Sequence, residues 1–135
     1  MIVADVSVVV DFLLGAGSEA GDRFAEALAT EPVAVPHLLD VEVGHVLRRF
    51  VRHGEFSQEA ALDYLAELAD LPLERYPHTP LLRRAFELRD NTTMYDAVYL
   101  ALAEALDVPL LTADSALAAV PGSRAEVVLL ASSAS

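Results

Sequence analysis

The chain has 135 residues, no cysteine and a formal charge of −12, from 21 acids against 9 bases, all of them arginine. That length suits one domain able to bury a core unaided, and the missing cysteine excludes thiol catalysis, thiolate-bound zinc and disulfides. The missing lysine excludes phosphoryl-transfer sites that set a lysine against phosphate, among them receiver domains, haloacid-dehalogenase-type phosphatases and P-loop enzymes, and it also excludes a lysine-assisted histidine ribonuclease.

Met1 leads directly into an apolar strand over residues 2–5, without the basic and long apolar regions of an export signal, so a cytoplasmic protein with no membrane span is expected. Helices are predicted over 7–14, with Ser7 as N-cap, and over 18–29, followed by a short strand over 33–35. Pro36 introduces a helix over 37–53, Gly54 interrupts it, and Ser57 caps another that reaches residue 69. A strand over 71–76 and a helix over 79–89 come next. The helix over 94–106 is apolar nearly all round and should be buried. Strands over 110–112 and 126–130 complete the chain, with a short helix starting at Ser115 between them. No repeat or linker divides the sequence. Strands alternating with helices predict an α/β fold, a mostly parallel sheet covered on both faces.

In such sheets the chemistry gathers at the carboxyl ends of the strands. Two acids fall at these ends: Asp5 closes the run Ile2-Val3-Ala4, and Asp114 follows Leu110-Leu111-Thr112-Ala113. They approach each other if the first and fourth strands are neighbours. Two more acids stand on helices. On the wheel of the third helix, Leu39, Val43, Val46, Leu47 and Phe50 form an apolar stripe, and Glu42 lies about 40° from Val46, at its border. Asp96 heads a helix face that also carries Leu100 and Ala103.

Each acid also has a local explanation. Asp5 and Asp114 can serve helix N-termini, Glu42 can pair with Arg49 on the surface, and Thr93-Met94-Tyr95-Asp96 reads as a capping box. A carboxylate beside apolar surface nevertheless loses hydration unless a cation, a proton or donors replace it, and one divalent ion in one crevice serves all four. Oxygen-only ligands select a hard cation, Mg²⁺ or Mn²⁺. Ser7 and Thr112 stand where they can orient the two strand-end acids. His45 and Arg49 share the flank of Glu42 and are candidates to contact substrate. Asp11 and Asp40 read as solvated, and Tyr95 and Tyr99 as packed.

These motifs resemble PIN-domain nucleases, and among them the VapC toxins of bacterial toxin–antitoxin pairs. Ile2-Val3-Ala4-Asp5-Val6-Ser7 looks like the family's opening strand and first acid, and Glu42 within Asp40-Val41-Glu42-Val43 like its second. Thr93-Met94-Tyr95-Asp96-Ala97-Val98-Tyr99 and Leu111-Thr112-Ala113-Asp114 look like the third and fourth. The resemblance spans residues 1–135 as one PIN-like nuclease domain. It implies a three-layer α/β/α fold around a five-stranded sheet and an Mg²⁺- or Mn²⁺-dependent endoribonuclease that leaves 5′-phosphate and 3′-hydroxyl ends. The implied catalytic and metal-holding set is Asp5, Glu42, Asp96 and Asp114. A homodimer and a small cognate antitoxin are implied as well. The lysine-free composition leaves RNA binding to arginine and metal, and a net acidic chain repels nucleic acid at long range. That favours a narrow, structured target. The alternatives are a PIN-like nuclease acting on other RNA or DNA without an antitoxin, and a non-catalytic interaction module.

Overall fold

The structure, a computed structural model, describes residues 1–132. Five strands, β1 (Ile2–Ala4), β2 (Val33–Pro36), β3 (Leu73–Tyr76), β4 (Leu110–Thr112) and β5 (Val127–Leu129), form one sheet in the order β3-β2-β1-β4-β5. Every pairing is parallel. The strands are short, and the central one is apolar throughout: Ile2, Val3 and Ala4 are all buried, as a strand covered on both faces requires.

Helices α1 (Val6–Leu13) and α2 (Glu19–Thr30) connect β1 to β2, and α3 (Leu38–Arg52) and α4 (Gln58–Asp70) connect β2 to β3. The chain then passes through α5 (Leu82–Glu87) and α6 (Met94–Leu106) to β4, on the far side of β1. Right-handed crossovers running in opposite directions place their helices on opposite faces of the sheet. The result is the expected three-layer arrangement, with the reversal of strand order falling between β1 and β4. The neighbour relation on which the meeting of Asp5 and Asp114 depends is therefore met: Ala4 pairs with Leu111, one residue before Asp5.

Local signals explain most element ends. The side chains of Ser18, Ser57 and Thr93 accept from the backbone N–H three residues on, at Gly21, Ala60 and Asp96, which supplies a donor-rich helix start with an acceptor. Gly54 takes a φ of 74° between α3 and α4, a left-handed turn that side-chain-bearing residues resist. In α6, residues Ala97 to Ala103 are all buried, in keeping with its unbroken apolar surface. Near the other end of that helix, Glu104 accepts from Arg84 at 2.8 and 3.2 Å and from the backbone N–H of Arg124 at 2.9 Å.

Three expectations change. The first helix is capped by Asp5, whose carboxylate accepts from the N–H groups of Ser7 and Val8; Ser7 lies inside the helix and its hydroxyl has other partners. The predicted helix over 79–89 is a 3-10 turn, Thr79–Leu81, followed by α5, with Pro80 fixing its start. Asp11 is buried, not solvated, and accepts from the hydroxyls of Ser18 and Ser132; Asp40 is half-buried and held by Arg75 at 2.8 Å.

Candidate metal centre

The reversal point puts Asp5 at the floor of a crevice at the carboxyl end of the sheet. Asp5 is 3% exposed. Its Oδ1 accepts from the backbone N–H of Ser7 at 3.0 Å and from the Ser7 hydroxyl, and its Oδ2 accepts from the Thr112 hydroxyl. Every neighbour donates, so the group is built to be an anion. Burial nevertheless raises its pKa from 3.8 to about 6, against the lowering effect of those hydrogen bonds; desolvation outweighs the donors.

Ser7 and Thr112 each hold two partners. The Ser7 hydroxyl also accepts from the backbone N–H of Ala113 at 2.8 Å, and the Thr112 hydroxyl accepts from that of Asp114 at 3.0 Å. The turn after β1 is thereby stitched to the turn after β4. Asp114, exposed, caps the 3-10 turn Ser115–Leu117 by accepting from the N–H of Ala116 at 2.9 Å. Thr112→Val keeps the side-chain shape but removes the hydroxyl that joins Asp5 to Asp114. Its expected cost is about 1–3 kcal/mol of stability in denaturant unfolding. A variant as stable as the parent would show that this bridge carries no weight in the fold.

Glu42 reaches the crevice from α3, half-buried at the border of the stripe Leu39, Val43 and Leu47. Its partner is not Arg49. The hydroxyl of Tyr99, a residue 1% exposed in α6, donates to Glu42 Oε1 at 2.5 Å. Burial raises the Glu42 pKa, and the charges of Asp96 and Asp5 raise it further, while the Tyr99 hydrogen bond works in the opposite direction. Asp96 opens α6; burial raises its pKa too, followed by the charge of Asp114. Burial and then the Glu42 charge push the Tyr99 hydroxyl far above its ordinary value, so it remains a donor.

These mutual repulsions link all four acids in one electrostatic neighbourhood: Asp5 to Glu42, Glu42 to Asp96, and Asp96 to Asp114. Among the described residues, no group of three or more His, Asp or Glu side chains closes on a common point tightly enough to grip an ion as it stands. Asp5, Glu42 and Asp114 each engage a local donor instead. The chemistry of the set still fits a hard divalent cation: only oxygen donors, three of the four with raised pKa values, and no arginine among the causes that shift them.

A groove of about 530 Å³ runs beside the acids, and its lining includes Glu42, His45, Arg49 and Tyr95. The two candidate substrate contacts, His45 and Arg49, thus share one hollow with a candidate metal ligand. Tyr95 is 62% exposed, contrary to the packed position expected for it, because the α6 face at that turn meets the groove and not the core. Sequence reasoning missed Tyr99 as the partner of Glu42. The two are 57 residues apart, and a buried tyrosine among aliphatic neighbours carries no sign of what its hydroxyl meets.

The fold and the strand-end acids define the class, and residues 2–123 match the PIN domain model: the chain belongs to the PIN-domain family. Over 133 residues it is 51% identical to Ribonuclease VapC1 of Mycobacterium tuberculosis, covering 95% of this chain and 96% of that protein. In structure it is similar to VapBC2 from Rickettsia felis bound to a DNA fragment from their promoter, with a TM-score of 0.71 and 13% identity over 96% of this chain and 99% of that one. It is also similar to a toxin–antitoxin complex from Klebsiella pneumoniae, with a TM-score of 0.63 and 20% identity over 95% and 96% of the two chains. No helix among the described residues is long and apolar enough to cross a membrane.

Proposed function

We propose that this chain is a metal-dependent endoribonuclease, a cytoplasmic, homodimeric toxin held in check by a small cognate antitoxin. The observation that carries the reading is Asp5, a buried carboxylate at the reversal point of a parallel sheet, fixed by four donors and coupled electrostatically to Glu42 and through it to Asp96 and Asp114. The kinship with Ribonuclease VapC1 supports the ribonuclease activity, and the fold shared with a toxin–antitoxin complex supports the partner.

Asp5, Glu42, Asp96 and Asp114 would hold Mg²⁺ or Mn²⁺. Such an ion, when bound, lowers the pKa of water to yield a nucleophile and stabilises charge on the phosphate. The chain supplies the rest. Ser7 and Thr112 keep Asp5 aimed and ionised, Tyr99 fixes one oxygen of Glu42, and the crevice walls limit water. Arg49, which lines one groove with His45 and Glu42, would meet a backbone phosphate of the substrate. Because the chain carries a charge of −12, RNA is repelled at distance and must be captured by these short-range contacts.

Mapping RNA ends after brief expression tests the reading. New 5′-phosphate and 3′-hydroxyl ends are expected at a restricted set of positions, and co-expression of a cognate antitoxin, sought in the neighbouring reading frame, should suppress both the cuts and the growth arrest. Scattered cuts that no such partner suppresses would identify a general nuclease. An RNA population with no new ends would overturn the ribonuclease assignment.

A further inference from the structure

Nearly every aromatic side chain in the described residues is engaged. Phe12 packs on Phe24 with ring centroids 5.2 Å apart, and Phe56 meets Phe50 at 5.6 Å and Tyr64 at 5.3 Å. Tyr99 is bonded to Glu42, Tyr76 to Glu74, and Phe86 lies under the Arg89 guanidinium. Tyr95 differs. It is 62% exposed, and among the described residues no hydrogen bond or ring contact engages it.

Its place is equally particular. Tyr95 immediately precedes Asp96 in the first turn of α6, so the helix holds its ring at a fixed offset from that acid. It lines the 530 Å³ groove with Leu38, Val41, Glu42, His45 and Arg49, and Glu42 belongs to both groove and acid cluster. Arg49, like Arg48, Arg52, Arg83 and Arg89, forms no ion pair among the described residues, and of these five it is the one that lines the groove. In a chain with 21 acids, an untied guanidinium beside an untied ring is a specific combination. It offers one contact for a phosphate and one for the face of a base, the two recognition elements of a single-stranded segment.

Building on the ribonuclease reading, we propose that Tyr95 is the stacking platform for the nucleobase next to the cleaved phosphodiester, seated in this groove, with Arg49 meeting the adjoining phosphate. A peptide from a protein partner could use the apolar wall of Leu38 and Val41, and the experiment below separates that occupant from RNA. Stacking tolerates many bases, since every base has a π-face. Tyr95 therefore sets the position of the strand against the acids more than its sequence.

The test uses an oligonucleotide that the wild-type chain cuts, chosen by end mapping, with 2-aminopurine replacing in turn each base flanking the cut. Wild-type protein in EDTA should quench 2-aminopurine on one side of the cut. Tyr95→Ala, a change at an exposed helical position that raises helix propensity, should abolish the quenching and raise KM roughly 10- to 100-fold, with kcat altered by less than about threefold. Tyr95→Phe should restore most of the affinity, and Tyr95→Leu should not. Unchanged KM and quenching in Tyr95→Ala, or full rescue by Leu, would overturn the platform while leaving the nuclease intact. The same holds if Tyr95→Ala weakens binding of a protein partner and spares RNA. If the wild-type chain cuts no RNA, the ribonuclease reading falls and the platform falls with it.

Discussion

Asp5→Asn is expected to reduce RNA cleavage by about a thousandfold or more, equivalent to about 4 kcal/mol of transition-state stabilisation, while leaving the metal-free protein as stable as the parent or more so at neutral pH. The first half follows from placing Asp5 among the groups that would hold the ion. The second follows from its pKa, raised from 3.8 to about 6 by burial. A group that binds its proton more tightly when folded favours the native state most below its unfolded pKa and loses that contribution as pH rises through the folded value. Above pH of about 6, the ionised, buried Asp5 therefore burdens the native state by about 3 kcal/mol. Asparagine cannot ionise and escapes that burden, although its amide nitrogen, facing the Thr112 hydroxyl, returns about 1 kcal/mol of it. Urea unfolding in EDTA at about pH 4 and about pH 7 checks the sign: the variant's advantage should grow with pH. A variant that is less stable at the higher pH, or that still cleaves, would refute this account.

Metal would be the second lever, acting on the same four acids. EDTA should abolish cleavage and Mn²⁺ or Mg²⁺ should restore it. Binding should also be visible without any substrate. An ion that binds only the folded chain stabilises it by about 2.7 kcal/mol at a hundredfold excess over Kd, which in a domain of this size raises Tm by on the order of 10 °C. An ion among them would relieve the repulsion linking Asp5, Glu42, Asp96 and Asp114, so Asp96→Asn should cut the thermal shift as well as the activity. Cleavage that survives EDTA, in a protein whose Tm ignores Mn²⁺, would remove the metal from the mechanism.

What the sequence revealed and what it hid divide along one physical line. Features set by neighbours in the chain were legible: the caps at Ser57 and Thr93, the apolar strands, the border position of Glu42, and the burial of α6. Features set by distant partners were not. Ser7 reads as a cap until its hydroxyl is seen to accept from Ala113, 106 residues on. Asp11 reads as solvated because one of its donors, Ser132, is 121 residues away. Periodicity reports which face of a helix is apolar, but not which polar atom waits on the element opposite. Tyr95 and Tyr99 illustrate the point on one helix: four residues apart, with the same side chain, one is exposed and the other buried, and nothing in the local pattern tells them apart.

Helix α6 carries Asp96 at its first turn and Glu104 near its last, about 12 Å apart along the axis. Between them the helix presents buried apolar side chains and the hydroxyl of Tyr99, which is bonded to Glu42 in α3. At the far end Arg84 and Arg124 clasp Glu104. The helix is thus tied both at its middle and at its base. The helix that carries Asp96 to the crevice is therefore anchored twice, once beside the acids and once at an ion-pair clasp remote from them.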